Sequence, residues 1–237
     1  MEIVYPPVVG LAKTMFRVLD MRIQIVGAQH IPTSGGAVLA SNHVSYLDFI
    51  FCGLAAQPAK RLVRFMAKKS VFDHRVSGPL MRGMRHIPVD RTAGSAAFQE
   101  AETALRKGEV VGVFPEATIS ESFTVKALKS GAARLAQSAG VPLLPMAVWG
   151  PHRLWTKGHP KDLTKRHVPV LIKVGEPLAV PPEVTADAIT LQLRQRLSVL
   201  LEQAQKDYPE KPSGPQEQWW MPAHLGGTAP RPETVDV

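Results

Sequence analysis

The stretch Ala40-Ser-Asn-His-Val-Ser-Tyr-Leu-Asp48 joins two apolar runs and predicts a strand-to-helix junction. The run before it, Gly36 to Ser41, predicts a buried strand, and the run after it, Phe49 to Ala56, predicts a helix. His43 and Asp48 lie on this junction. On one regular helix, residues at this spacing point about 140° apart. The two side chains therefore meet only if His43 precedes the helix and turns back over its first turn.

A histidine held by a carboxylate in this way is a Ser-His-Asp triad without its serine. It suits a general base that deprotonates a hydroxyl supplied by the substrate. The alternative is structural: Asp48 caps the helix, and His43 is a histidine whose hydrogen bonds are satisfied within the fold. Short spacings of this kind also arise by chance, so the pair needs support from other segments.

The overall composition narrows the class of protein. A chain of 237 residues with 45% apolar side chains predicts one large domain with tails. It contains no uncharged apolar run of ~18 residues and no secretory signal pattern, so we expect neither a spanning helix nor a leader. Cys52 is the single cysteine, which excludes an intramolecular disulfide, and its apolar surroundings predict a buried thiol. The net charge of +8 indicates an anionic partner: a membrane surface, nucleic acid or a phosphorylated substrate.

Residues 8–19 predict an amphipathic helix when they are placed at about 100° per residue. One half of the wheel is apolar and consists of Val8, Val9, Leu11, Ala12, Met15, Phe16, Val18 and Leu19. The other half holds Gly10, Lys13, Thr14, Arg17 and Asp20. Such a helix either packs on the core or lies on a membrane surface with its cations toward the headgroups. The second interpretation gains weight only if the substrate is a lipid.

Strands and helices alternate along the chain, which predicts an α/β fold with a mixed, mostly parallel central sheet flanked by helices. The predicted strands cover 22–26, 36–41, 61–67, 85–89, 110–114, 143–149 and 168–174. The predicted helices that follow residue 90 cover 95–107, 125–139 and 185–206. We divide the chain into an amphipathic membrane-surface helix at 1–20, an α/β domain at 21–207, and a proline-rich, extended or disordered tail at 208–237. Trp219-Trp220 in this tail either packs back on the domain or enters a membrane interface.

Polar side chains follow several of the predicted strands. They are His43 with Asp48, Lys68 with Lys69, Asp90 with Arg91, and Glu116 with Thr118. In α/β sheets, ligands bind at the carboxyl ends of the strands, so these groups are expected to converge on one cleft. A base, a carboxylate and several cations fit a hydroxyl nucleophile on a phosphorylated substrate. Each group also has a structural alternative: a solvated lysine face, a local Asp-Arg ion pair, or a glutamate that caps its loop.

Taken in order, these segments resemble the glycerophospholipid acyltransferase family, the 1-acylglycerol-3-phosphate acyltransferase-like (PlsC-type) proteins. Asn42 to Asp48 is similar to the family's N-H-x-S-x-x-D block, and Phe65 to Lys69 to its lysine-bearing strand end. Gly83 to Arg91 matches the block that closes in D-R, and Val113 to Ser120 the block F-P-E-G-T-R-S. Val141 to Met146 matches V-P-I-x-P-V. The resemblance covers roughly residues 21 to 180.

The resemblance implies an acyl-CoA-dependent O-acyltransferase that converts 1-acylglycerol 3-phosphate to phosphatidate. His43 would be the general base and Asp48 its orienting partner, with direct attack on the thioester and no acyl-enzyme. It implies no metal and no cofactor, since acyl-CoA is a substrate; acyl carrier protein is the alternative carrier.

The remaining site residues are also implied by the resemblance. Lys68, Lys69 and Arg91 would bind the phosphate, while Glu116, Ala117 and Thr118 would form the acceptor pocket. Two positions depart from the family's F-P-E-G-T-R-S block.

The first departure is Ala117 in place of the usual glycine, and the second is Ile119 in place of the usual arginine. Isoleucine cannot pair with phosphate, so that role is either vacant or moved to Arg85, Arg91 or a lysine. The identity of the acceptor is therefore open. Lysophosphatidate is the first expectation, with glycerol 3-phosphate, another lysophospholipid or a glycolipid as rivals. A non-catalytic lipid-binding relative is a further alternative.

A lipid acceptor together with the net positive charge predicts a peripheral protein on an anionic membrane. The cytoplasmic face is expected because acyl-CoA is made inside the cell. Nucleic acid is not an expected partner, because aromatic residues are only 6% of the chain and the charge is dispersed. The stretch 152–167 is basic and partly aromatic. It is interpreted either as a contact for headgroups or coenzyme A phosphates, or as a solvated loop.

Overall fold

A central sheet of seven strands organises the computed structural model, which describes residues 2–90 and 94–235. The strands are β1 (Arg22–Val26), β2 (Ala37–Ser41), β3 (Val63–Lys68), β4 (Ile87–Val89), β5 (Val110–Val113), β6 (Leu143–Trp149) and β7 (Pro169–Val174). Their order is β1-β7-β6-β2-β5-β3-β4. All neighbours are parallel except β6 and β7. The prediction of a mixed, mostly parallel sheet is confirmed.

The helices cover both faces of this sheet. They are α1 (Tyr5–Val18), α2 (Asp48–Ala55), α3 (Lys69–Asp73), α4 (Ser77–Gly83), α5 (Gly94–Arg106), α6 (Gly131–Ala139), α7 (Ala186–Lys206) and α8 (Pro232–Val235). β2 shows the layering, because successive strand residues point to opposite faces. Val38 and Ala40 face the core formed with α5, α6 and α7, whereas Ala37 and Leu39 face the core formed with α1 and α2. Every residue of β2 and β6 is buried, as expected for central strands covered on both sides.

One predicted helix begins later than its sequence pattern indicates. The pattern starts at Val125, but α6 begins at Gly131. The segment before it is held against the loop that follows β5, where the N–H of Lys129 donates to the carbonyl of Pro115 at 2.9 Å. This tertiary bond holds part of the predicted segment outside the helix. Cys52 lies fully buried on α2, as expected, and burial raises the pKa of its thiol.

Helix α1 has a packed side and an exposed apolar side. Tyr5 and Phe16 are buried, and the ring of Phe16 stacks on Phe51 with centroids 5.0 Å apart. Leu11, Met15 and Val18 are exposed and lie on one stripe at helical spacing. The apolar half of the predicted wheel is thus divided between the core and the surface. No helix within the described parts of the chain is long and apolar enough to cross a bilayer.

The C-terminal segment runs back over the domain. Trp220 is fully buried in the same core as α7, and its carbonyl lies 3.0 Å from Nε2 of His152. Trp219 stacks on His159 with centroids 4.1 Å apart. Of the two interpretations of this tryptophan pair, packing on the domain is the one that the structure adopts. The division of the chain at residues 20 and 207 stays a prediction.

Candidate active site

His43 lies between β2 and α2, where the chain turns back over the first helical turn. Its Nδ1 is 3.0 Å from Oδ2 of Asp48, the first residue of α2. The same oxygen accepts the N–H groups of Val44 at 2.8 Å and Ser45 at 2.7 Å. Asp48 therefore both closes the loop and holds the imidazole, so the capping and the orienting interpretations describe one arrangement.

Asp48 selects the tautomer of His43. Asp48 is fully buried, and burial raises its pKa, while the hydrogen bonds from His43 and the loop N–H groups oppose that rise. A carboxylate facing Nδ1 selects the tautomer with its proton on Nδ1, which leaves Nε2 as an acceptor. The side chain of His43 is 20% exposed, and no residue within 2–90 or 94–235 hydrogen bonds to Nε2. The ring can therefore accept a proton from a group that approaches its exposed side.

The loop after β5 supports the same histidine from the other side. Glu116 is buried, with Oε1 accepting the backbone N–H of His43 at 2.7 Å and Oε2 accepting that of Lys126 at 3.1 Å. The N–H of Ser120 donates to the carbonyl of His43 at 2.8 Å. The ring of Phe114 stacks on the imidazole with centroids 4.3 Å apart. Glu116 thus holds the backbone of the loop between β2 and α2, which is closer to the structural alternative for this residue than to a place in an acceptor pocket.

Asn42 anchors the beginning of this loop to the sheet. Its Nδ2 donates to the carbonyl of Val148 at 3.1 Å, and its Oδ1 accepts the N–H of Val148 at 2.7 Å. The side-chain amide thereby continues the hydrogen bonding of β2 to β6 beyond the point where β2 ends. Asn42 is fully buried. An amide is the side chain that supplies both a donor and an acceptor for such a link.

The predicted lysines lie, like His43, at the carboxyl-terminal ends of the parallel strands. Lys68 ends β3 and Lys69 begins α3, so both follow a strand parallel to the one that precedes His43. Both are exposed, and Lys69 pairs with Asp90 at 3.3 Å. Exposed pairs of this kind contribute little to stability, so the lysine is available to exchange partners. Arg91, the other predicted phosphate ligand, lies outside the described residues.

Arg85 lies at the amino-terminal ends of the parallel strands, on the side of the sheet away from His43. It precedes β4, whereas His43 follows β2 and Lys68 ends β3. Its guanidinium pairs with Glu109 at 2.7 Å and with Glu2 at 3.1 Å, in a cluster that also includes Arg64. The structure does not bring Arg85 to His43, because in parallel strands the beginning and the end of a strand lie on different sides of the molecule. Arg85 is therefore not a replacement for the family's arginine in this geometry.

Lys126, which the sequence analysis did not select, contacts the segment that matches the family's F-P-E-G-T-R-S block. Nζ of Lys126 lies 2.5 Å from Oγ1 of Thr118 and 3.5 Å from the carbonyl of Ile119. Ile119 is buried, whereas Ala117 and Thr118 are exposed. Lys126 comes several residues after the block, and only the fold of the intervening loop returns it there. No local signal in the sequence marks it.

Ala117 adopts a backbone conformation that explains the family's usual glycine. Its φ is 62°, in the left-handed region. A Cβ atom is unfavourable there by roughly 1–2 kcal/mol, so glycine is the natural residue. The loop keeps this turn with alanine in place. The substitution therefore changes strain and leaves the course of the loop intact.

The stretch 152–167 is partly internal. His152 and Arg153 are buried, and burial lowers the pKa of His152 to about 3. Neither side chain is placed to meet a headgroup or a coenzyme A phosphate. Lys157 and Lys161 are exposed. Within the described ranges, no group of three histidine, cysteine or acidic side chains is placed to hold a metal ion.

Comparisons with known proteins identify the family of the chain. A family model described as acyltransferase matches residues 22–149, more than half of the chain. The 1-acyl-sn-glycerol-3-phosphate acyltransferase of Bacillus subtilis is 31% identical over 192 residues, which are 77% of this chain and 91% of that protein. The enzyme of the same name from Limnanthes douglasii is 32% identical over 160 residues, 66% of this chain, and the chain spans 54% of that protein.

A solved structure shares the fold. The 1-acyl-sn-glycerophosphate (LPA) acyltransferase PlsC from Thermotoga maritima superposes with a TM-score of 0.69 at 23% identity, covering 84% of this chain and 78% of that one. The sheet and its flanking helices thus follow an architecture known from an acyltransferase. The chain belongs to the acyltransferase family.

Proposed function

We propose that the protein transfers a fatty acyl group from acyl-CoA to the free hydroxyl of 1-acylglycerol 3-phosphate and so forms phosphatidate. The relatives that carry the name of this activity support the choice of reaction. The observation that carries the mechanism is the bond between Nδ1 of His43 and Oδ2 of Asp48 at 3.0 Å. It leaves Nε2 as a base at the carboxyl edge of the sheet.

In this mechanism the acceptor hydroxyl hydrogen bonds to Nε2 of His43 and attacks the thioester carbonyl carbon. The new carbon–oxygen bond forms as the hydroxyl proton moves to Nε2, and the buried carboxylate of Asp48 stabilises the resulting imidazolium. The carbon–sulfur bond then breaks, and the proton passes to the coenzyme A thiolate. Cys52 takes no part, because it is fully buried and burial raises the pKa of its thiol.

The phosphate of the acceptor is assigned to basic side chains. Lys68, Lys69 and Arg91 are the ones expected from the resemblance, and Lys126 is added by its contact with Thr118. Charge-assisted hydrogen bonds to phosphate are worth about 1.5–3 kcal/mol each. Lys126 reaches the block where Ile119 replaces the family's arginine, so it is the most direct replacement for that cation.

Buried Ile119 also keeps a second candidate in view, an acceptor other than lysophosphatidate. Glycerol 3-phosphate would use the same lysines, whereas a neutral lysolipid or a glycolipid would not need them. Acyl carrier protein is the alternative to coenzyme A as the carrier. These choices change the substrate and leave the role of His43 unchanged.

We place the protein peripherally on the cytoplasmic face of an anionic membrane. The exposed apolar stripe of α1, formed by Leu11, Met15 and Val18, supports this placement, and Lys13 and Arg17 are exposed on the same helix. Apolar side chains next to cations suit the headgroup region of an anionic bilayer. Acyl-CoA is made inside the cell, which favours that face.

The deciding experiment measures coenzyme A release from palmitoyl-CoA by the purified protein. The acceptors are lysophosphatidate, glycerol 3-phosphate, a neutral lysolipid and water alone, with palmitoyl-acyl carrier protein as a second donor. His43→Ala is run in parallel, with His224→Ala as the matched control because His224 is exposed and far along the chain.

We expect release that requires lysophosphatidate, is lost in His43→Ala and persists in His224→Ala. Release with water alone would identify a thioesterase. Release that survives His43→Ala would remove this histidine from the mechanism, and a folded wild-type protein that is inactive with every donor and acceptor would favour a lipid-binding relative.

A further inference from the structure

The loop of residues 42–47, between β2 and α2, carries His43 and is called the catalytic loop. It is hydrogen bonded to a second loop, residues 150–160, which lies outside the segment matched by the family model. Oγ1 of Thr156 donates to the carbonyl of Val44 at 2.7 Å. The carbonyl of Trp155 accepts both Oγ of Ser45 at 2.6 Å and the N–H of Tyr46 at 3.2 Å. Three consecutive residues after His43 are thereby attached to two consecutive residues of the 150–160 loop.

The same residues of the catalytic loop hold the carboxylate of Asp48. The N–H groups of Val44 and Ser45 donate to Oδ2, the oxygen that also faces Nδ1 of His43. Thr156 and Asp48 therefore hold the peptides on either side of Val44. A shift of these peptide planes would move the carboxylate, and with it the imidazole.

The 150–160 loop is itself held from behind by the C-terminal segment. Nε2 of His152 lies 3.0 Å from the carbonyl of Trp220. The guanidinium of Arg153 donates to the hydroxyl of Tyr208 at 3.1 Å and lies 4.4 Å from the centre of the Trp220 ring. These side chains are all buried. A loop with buried polar and aromatic support on its far side has little freedom to move.

Glycine at the beginning of the loop is required by the packing. Gly150 has a φ of 115°, and a Cβ atom there would meet the carbonyl oxygen of Pro169 at 2.2 Å. The chain thus leaves β6 against β7 and turns directly to the catalytic edge. This close approach places Trp155 and Thr156 beside the loop of His43.

We propose that the 150–160 loop positions the His43–Asp48 dyad, and that Thr156 is its principal positioning residue. The inference rests on the proposed function, since it concerns the geometry of that reaction. Thr156 touches no reacting atom and acts through Val44. Misplacing a catalytic group by about 1 Å can cost on the order of 100-fold in rate. The effect should therefore appear in kcat more than in KM.

The test compares Thr156→Val with Thr156→Ser. Valine keeps the shape and loses the hydroxyl, whereas serine keeps the hydroxyl. Thr190→Val is the matched control, because Oγ1 of this largely buried threonine also donates to a carbonyl at 2.7 Å, that of Ala186 on α7. Thermal unfolding of each variant is recorded beside kcat and KM. Ser45→Ala breaks the same junction from the catalytic side and replaces Thr156→Val if that protein does not fold.

For Thr156→Val we expect kcat to fall about 10- to 100-fold with KM for both substrates within about threefold. Thr156→Ser should return to within about threefold of wild type. Thr190→Val should lose similar stability and keep its kcat. Equal kcat in Thr156→Val and Thr190→Val would overturn the proposal, as would a failure of Thr156→Ser to recover activity.

A second measurement separates this inference from the proposed function. The ¹⁵N signals of the His43 imidazole are recorded in the folded wild type and in both valine variants. A change in Thr156→Val that is absent from Thr190→Val supports the positioning role even if no acceptor is acylated, an outcome that would sink only the proposed function. Unchanged His43 signals in Thr156→Val would overturn the positioning role.

Discussion

Glu116 holds the backbone of His43 through one carboxylate oxygen, at 2.7 Å, while its other oxygen accepts the N–H of Lys126 at 3.1 Å. A single buried side chain thus joins the loop that carries His43 to the segment that precedes α6. Only a carboxylate offers an acceptor oxygen on each branch. The geometry of the two loops thus explains how both oxygens of Glu116 are used.

Replacing Glu116 by glutamine should disrupt this junction. One acceptor oxygen becomes an NH₂ group that faces another N–H donor, and an unsatisfied buried donor costs about 1–3 kcal/mol. We expect kcat to fall about tenfold or more. The free energy of unfolding should drop by about 1–3 kcal/mol. Steady-state kinetics and urea unfolding measure the two effects. Glu202→Gln, on an exposed position of α7, is the control. Wild-type activity in Glu116→Gln would show that the junction is dispensable.

Lys126→Met should weaken binding of a phosphorylated acceptor. The ammonium group beside Thr118 is lost while the aliphatic length is kept. We expect KM for lysophosphatidate to rise about tenfold or more, which corresponds to one charge-assisted hydrogen bond. Lys129→Met, an exposed lysine of the same segment, is the control. An equal change in KM for a neutral lysolipid would mean that Lys126 acts on the loop and not on phosphate.

Ala117→Gly should stabilise the protein. The left-handed φ of 62° is strained for alanine, and glycine removes that strain at a smaller cost in unfolded-state entropy. The expected gain in the free energy of unfolding is about 0.5–1 kcal/mol. Ala117→Val should be destabilised, because β-branched residues adopt this conformation least readily. Chemical denaturation of the three proteins tests the order glycine, alanine, valine.

The exposed stripe of α1 should govern vesicle binding. Leu11→Glu combined with Met15→Glu places carboxylates where we expect lipid, and leaves the packed residues Tyr5 and Phe16 in place. Each large apolar side chain that is buried contributes about 1.5–3 kcal/mol, so affinity for anionic vesicles should fall by at least about tenfold. Leu191→Glu with Val199→Glu, exposed apolar positions on α7, is the control pair. Equal binding by both double variants would rule out α1 as the contact.

The protein should lose stability as the pH falls below about 6.5. His86 and His152 are buried, and burial lowers their pKa values to about 4 and about 3. In the unfolded chain they bind protons from their ordinary pKa downward, whereas in the folded protein they stay neutral. Between about pH 6.5 and 4, each histidine therefore removes up to about 1.4 kcal/mol of unfolding free energy per pH unit.

His86→Gln isolates part of this dependence. Glutamine can still accept the N–H of Phe65, which His86 accepts through Nδ1 at 3.0 Å, but it does not titrate. Urea unfolding at pH 7, 5.5 and 4.5 should give a shallower loss of stability in the variant than in the wild type. Parallel curves for the two proteins would contradict the assignment.

The sequence alone determined the parts of the molecule that depend on neighbouring residues. Apolar runs and alternation predicted the strands, and the turn between two such runs placed His43 just ahead of the helix that begins with Asp48. The lysines at the end of β3 followed from the same reasoning. These features are local, because strand ends and helix starts are set by residues close in the chain.

Other features required the packing of distant segments. The parallel direction of β4 placed Arg85 at the end of the strands far from His43, and the fold of the loop before α6 returned Lys126 to Thr118. The contact of Thr156 with Val44 and the burial of Trp220 join residues far apart in the chain. Hydrophobic periodicity records which face of an element is buried, but it does not record which distant element covers that face. Only the tertiary structure decided those partners.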